Sequence, residues 1–267
     1  MTQALTDEMF LDDWIHLATA GIRLKHMSTI GLCRELNVCA NRLIFSTTIR
    51  SSDIQQVLIA ALLPRLLTAF QGAVLTGQIG LASEAKLLVR KVLEVTFRIV
   101  AVSKSVEVAN RYVQSDECHR RKFLNKLSAL KSVELSALEM EQVTRLKQEV
   151  NDAIAEKGIR EIGTQWFAEQ AELMDLYNTA YALLSEAAHA NVRDIGEVLI
   201  QADASDVDHL RYGPDDDGLS DVPCTAIEAT LISLEAAFQT LPIVDSMCLQ
   251  QVRRRMTLLF EVVGGAD

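Results

Sequence analysis

SEAKLLVRKVLEVTFRIVAVS, residues 83–103, decides the class of fold. Leu88, Val92, Val95 and Ile99 return every three or four residues. Glu84, Lys91, Glu94 and Arg98 occupy another side, and Arg90 and Phe97 share the boundary between the two. That period is helical, with an apolar stripe facing a core and a charged one facing water. Ser83-Glu84 opens the segment. Gln78-Ile79-Gly80-Leu81 before it reads as a tight joint.

The same pattern extends in both directions. Upstream, Val57–Ala82 is the most apolar stretch, interrupted by Arg65, Gln71 and Gln78 and containing Pro64. Charge and proline inside it predict a buried core helix, capped by Ser52 or Asp53, rather than a membrane span. Further upstream, a helix start at Thr6 leads into an apolar pattern over Trp14, Leu17, Ile22 and Leu24. The pattern breaks near Gly31 and resumes through Leu32, Leu36, Cys39, Leu43 and Ile44. Downstream, 106–131 and 134–157 are highly charged with a thin apolar stripe, which predicts a protruding helical hairpin ended by Gly158.

Tyr177, Tyr181, Ser185 and His189 recur every fourth residue among Leu173, Leu176, Ala180, Leu183, Leu184, Ala187 and Ala188. A step of four drifts slowly around one helix face, so the sequence places a polar, titratable stripe against apolar neighbours. Polar atoms facing a core must find partners, through a structural hydrogen-bond network or a site. Residues 201–222 hold seven aspartates, with Gly213-Pro214 and Gly218, and read as an exposed acidic loop. Pro223 begins the last helical segment, up to residue 263, which Pro242 splits.

The composition agrees. In 267 residues, 49% hydrophobic, only 12 are Gly and 4 are Pro, leaving room for long helices. The expectation is an all-α single domain over 1–267. It forms one bundle of seven to nine helices, with an N-terminal segment to residue 53 and a core over 55–200. A net charge of −10 lowers the prospect of indiscriminate nucleic-acid binding, and DNA is not expected as a partner. The basic runs 119–122 and 253–255 point around their helices and read as solvated faces. Five cysteines without a CxxC pair suit neither a zinc knuckle nor a disulfide framework, and predict buried thiols in a reducing cytoplasm. The N-terminus lacks the order of a signal peptide. The aspartates lack EF-hand spacing, and no phosphate loop or HExxH sequence occurs, so no cofactor and no metal are expected.

Two residue sets carry candidate chemistry. His189 has a side chain suited to proton transfer near neutrality, alongside Ser185 and Tyr181. Arg90 and Glu94, four apart, form either an ordinary surface ion pair or, turned towards His189, part of a buried cluster.

The order of features resembles a bacterial family of uncharacterised helical proteins, a domain of unknown function, over about residues 55–215. It runs Gly80-Leu81-x-Ser83-Glu84-Ala85, Arg90-x-x-x-Glu94, the charged helical pair, Trp166, Tyr181-x-x-x-Ser185-x-x-x-His189 and Tyr212-Gly213-Pro214. That family is distantly similar to HEPN proteins, which are helical bundles, often homodimers, many of them ribonucleases of toxin–antitoxin and phage-defence systems. The HEPN motif sets an Arg about five to seven residues before a His. Leu184, Leu183 and Ala182 stand there instead, so the guanidinium would come from Arg90 on another helix. The resemblance implies a cytoplasmic, RNA-targeting, metal-independent ribonuclease. In it His189 is acid/base, Arg90 stabilises phosphate charge, and Tyr181, Ser185 and Glu94 position them. The alternative is a non-enzymatic scaffold, or a protein binding a small ligand or a partner, with the same residues forming an internal network.

Overall fold

The structure is a computed structural model and describes residues 9–129, 136–187, 199–201, 207–210, 213–216, 219, 221–242 and 247–264. The fold is all-α. After a 3-10 turn at Met9–Leu11 come α1 (Ile15–Ala18), α2 (Ala20–Lys25), α3 (Met27–Ser46), α4 (Ile54–Gln78), α5 (Ala82–Lys104) and α6 (Val106–Ala129). There follow α7 (Ala137–Lys157), α8 (Thr164–Ala171), α9 (Met174–Leu176), a π turn over Tyr177–Tyr181 and α10 (Ala182–Ala187). The chain ends in α11 (Asp221–Thr240) and α12 (Met247–Gly264). Seven of these, α3 to α7, α11 and α12, run 18 residues or more and form the expected bundle; the rest are short connecting turns of helix.

α5 is the axis of the bundle, packed against α4, α6, α8, α10 and α11. Val89, Val92, Leu93, Phe97, Ile99 and Val102 are wholly buried, whereas Leu88 is half-buried. From Val95 onward the helix is enclosed on nearly every side, so Phe97 belongs to the core and not to a boundary. One polar contact is sealed in with it. The hydroxyls of Thr96 and Ser233 lie 2.9 Å apart, each also bonded to a helix carbonyl, tying α5 to α11 without an orphaned polar atom.

α4 carries the side chain of Asp53 as its cap, accepting from the backbone N–H of Gln55 and Gln56. Among the described residues it alone is long and apolar enough to cross a membrane, and Ile59, Leu63, Leu66 and Phe70 on it are buried in the main core. α6 and α7 pack on each other through a separate small cluster, Leu124, Val143 and Val150, forming the charged hairpin. A capping box at Ser136 starts α7, and Gly158, at φ 59°, stops it.

Several local readings change. The N-terminal breaks fall at Thr19 and His26, while Gly31 lies inside α3. Trp14, Leu17 and Leu24 are exposed, so their spacing does not mark a core face. The segment expected to be an acidic loop pairs in part: Leu199–Gln201 (β1) and Val207–Leu210 (β2) form a short antiparallel ladder. β-branched and aliphatic residues at both its ends outweighed the aspartates. The C-terminal helical segment begins at Asp221, with Pro223 in its first turn, where a missing N–H is harmless.

Cysteine usage is also corrected. Cys39 on α3 and Cys248 on α12 form a disulfide across 209 residues, tying the two ends of the chain together. No short spacing announces a pair so far apart. Cys33, Cys118 and Cys224 are free thiols. Burial, with Cys224 nearby, pushes the Cys33 thiol up to about 12, which keeps it protonated and unreactive.

The joint at Gly80 organises one end of the bundle. Gly80 sits at φ +78°, and its carbonyl accepts the N–H of Asp215 at 2.9 Å. A Cβ there would lie 2.8 Å from Asp215 N and from Pro214. Next to it Asp216 bonds Lys25 at 2.6 Å, which holds its carboxyl below the usual range. Gly80→Ala is therefore expected to destabilise the fold by at least 1–2 kcal/mol from backbone strain alone, with the overlap added. A thermal melt should fall by roughly 2–8 °C or more; an unchanged melt would mean that the joint bears no strain.

Candidate functional site

The polar stripe begins in the π turn. Its wider backbone ring sets residues four apart almost over one another, and the Tyr177 and Tyr181 rings stack at 5.0 Å and 19°. Phe97 closes under both, its ring 6.1 Å from Tyr177 and edge-on to Tyr181 at 5.9 Å. This aromatic triangle fixes Tyr181, which is only 8% exposed, and aims its hydroxyl at α5. Of the neighbours read as buried, Leu183 is 67% exposed, and Leu173, Leu176 and Leu184 are half-buried. From Tyr177 to Ser185 the stripe thus runs at the edge of the core, with Tyr181 buried and its two neighbours half-buried.

Four of the five sequence-derived candidates converge there. Arg90 donates through Nε to Ser185 Oγ and through Nη2 to the Tyr181 hydroxyl, both at 3.1 Å. Its Nη2 stands 3.4 Å from Glu94 Oε1, and the Tyr181 hydroxyl donates to that same oxygen at 3.2 Å. Ser185 Oγ in turn donates to the Tyr181 carbonyl at 2.7 Å. The Arg90 guanidinium also lies over the Tyr181 ring, 5.2 Å from its centre. Arg90 and Glu94 are therefore no plain surface pair: their side chains are 25% and 16% exposed, and each has partners on another element. His189, four residues after Ser185, lies outside the described residues.

Sequence reasoning missed the residues that brace Glu94. Lys91 Nζ reaches Glu94 Oε2 at 3.3 Å, and Arg98 donates to the Glu94 carbonyl at 2.7 Å while its guanidinium covers the Phe167 ring at 5.3 Å. Lys91 and Arg98 were legible as members of the charged face of α5, but their inward bonds had no signal in the spacing. Among the described residues, no three His, Cys, Asp or Glu side chains are grouped so as to hold a metal.

These motifs fall within the reach of one family model. A family of unknown function, DUF5677, matches residues 56–207, more than half of the chain. The chain belongs to the DUF5677 family. Its match takes in α4 to α10 and β1, and hence both elements of the Arg90 cluster. It nearly coincides with the stretch whose motif order suggested a helical family, and it stops just short of Gly213-Pro214, which packs against Gly80. The chain matches no curated protein and no solved structure.

Proposed function

We propose that this DUF5677 protein acts on RNA as a metal-independent, HEPN-like ribonuclease of the toxin or phage-defence type. The observation that carries the proposal is the Arg90 guanidinium, brought from α5 to Ser185, four residues before His189. The HEPN motif draws its Arg and His from one helix; here Arg90 would supply the cation from a neighbouring one. In the reaction, a ribose 2′-oxygen bonds to phosphorus as its proton leaves, and the bond to the departing 5′-oxygen breaks as that oxygen takes a proton. The products are a 2′,3′-cyclic phosphate and a 5′-hydroxyl. His189 would move the protons, and Arg90 would stabilise the charge gathering on the phosphoryl oxygens. Glu94, Tyr181 and Ser185 hold the guanidinium in place. The same reading makes the protein a homodimer that needs no cofactor; a cytoplasmic location further requires the Cys39–Cys248 bridge to resist reduction there.

A second reading rests on a separate observation: Arg90, Glu94, Tyr181 and Ser185 satisfy one another's hydrogen bonds. Such a closed set serves equally as a clamp between α5 and α10 in a non-enzymatic scaffold or ligand-binding protein. RNA cleavage and growth arrest on expression, compared between parent and His189→Ala, separate the two. Loss of both with an unchanged melting temperature supports the ribonuclease. Equal behaviour removes His189 from catalysis, and a clearly lower melt without any cleavage by the parent supports the clamp.

A further inference from the structure

On the other side of Glu94 from Tyr181, α4, α5 and α6 border an open cleft of about 330 Å³. Its rim is cationic: Arg65 comes from α4, and Lys91 and Arg98 come from α5. Its floor is apolar, with Leu62 and Val95, and the half-buried Tyr112 of α6 stands at one side. No carboxylate lines it among the described residues, in a chain of net charge −10. Glu94 offsets part of that charge through Lys91, and the rest of the rim favours an anion seated between its cations.

The cations are also held ready. Arg98 is fixed by the Glu94 carbonyl and the Phe167 ring, so little of its freedom remains to be lost on binding. Lys91 is steadied by Glu94, whose other oxygen holds Arg90 and Tyr181. Arg65 is exposed at the opposite wall, just after Pro64. The volume falls within the range of small-molecule sites. Cations on the rim suit a phosphate, and an aliphatic floor beside a tyrosine ring suits a nucleobase.

We propose that this cleft binds a nucleoside phosphate, either free or as one unit of an RNA strand. The inference rests on the RNA-directed reading for the polymer, and Glu94 links the two places, holding Lys91 of the cleft with one oxygen and Arg90 and Tyr181 of the cluster with the other. Calorimetric titration of the full-length protein with adenosine monophosphate and with a five-nucleotide oligoribonucleotide tests it, with inorganic phosphate as a third arm. Parent and Arg65→Glu are compared after circular dichroism has shown the same fold; Arg65 is exposed, so the fold should hold.

The expected result is saturable binding weakened at least tenfold by Arg65→Glu and by raising salt from about 0.1 to 0.5 M. Tighter binding of the oligonucleotide than of the mononucleotide marks the strand as the ligand, and the reverse marks the free nucleotide. Binding of inorganic phosphate as tight as that of the mononucleotide overturns the base-binding floor. No saturable binding in any arm, or binding indifferent to Arg65→Glu, overturns the proposal. Nucleotide binding without RNA cleavage supports the cleft and removes the ribonuclease; cleavage with no nucleotide bound at Arg65 does the opposite.

Discussion

On the ribonuclease proposal, Arg90→Ala is expected to lower RNA cleavage by about 10²–10³-fold, the loss typical of removing one preorganised donor to developing charge. The same change leaves Glu94 beside the Tyr181 hydroxyl with Lys91 but without Arg90, and Ser185 without its donor. Since Arg90 is a quarter exposed, water relieves part of that loss, and the stability penalty should stay near 1–3 kcal/mol rather than the larger figure for a sealed pair. Arg90→Lys keeps the charge but offers a point in place of a fork, so it cannot serve Ser185 and Tyr181 together. It should regain much of the stability and little of the cleavage. A double-mutant cycle with Glu94→Gln reads the pair directly. Coupling near zero would reduce Arg90 and Glu94 to a surface ornament, and wild-type cleavage by Arg90→Lys would take the two-point geometry out of the chemistry.

The bundle was legible because α5 repeats its apolar residues at a helical period opposite a charged face, and α4 is a long apolar run broken only by Pro64, Arg65 and a few polar residues. Caps at Asp53 and Gly158 were legible for the same local reason: each depends on one side chain or one backbone angle. What the spacing could not supply was partnership. Arg90 and Glu94 read alike as a surface pair or a buried one until Tyr181 was placed against them from 87 residues away. The Cys39–Cys248 bridge is a more distant case of the same kind, since its cysteines lie 209 residues apart on α3 and α12, which pack together in the fold. The N-terminal misreading ran the other way. Trp14, Leu17 and Leu24 have the right period, yet exposed apolar residues are common on folded surfaces and periodicity alone does not bury them. From Tyr177 to Ser185 the polar stripe shares a face, as its spacing predicts, but the spacing gave no sign of the π turn that stacks the tyrosines beside Phe97.

Phe97→Ala should be among the most damaging single changes in the molecule, at about 3–5 kcal/mol. Phe97 is wholly buried in the helix that α4, α6, α8, α10 and α11 pack on, and its ring supports both tyrosines of the π turn. Truncation removes the transfer energy of the ring and leaves a hole that α5, held by α4, α8 and α11, cannot close by moving. The loss should also travel to the candidate site. Without the ring beneath it, Tyr181 is free to lean into the hole, drawing its hydroxyl off Glu94 and Arg90. Phe97→Leu separates the two effects: it fills most of the volume but gives the tyrosines no aromatic edge. Denaturant unfolding should show Phe97→Leu recovering more than half of the stability lost by Phe97→Ala. Near-ultraviolet dichroism of the tyrosines should still be altered in both variants. A Phe97→Leu protein with native tyrosine dichroism would show that the π turn holds Tyr181 by itself, and that Phe97 contributes volume alone.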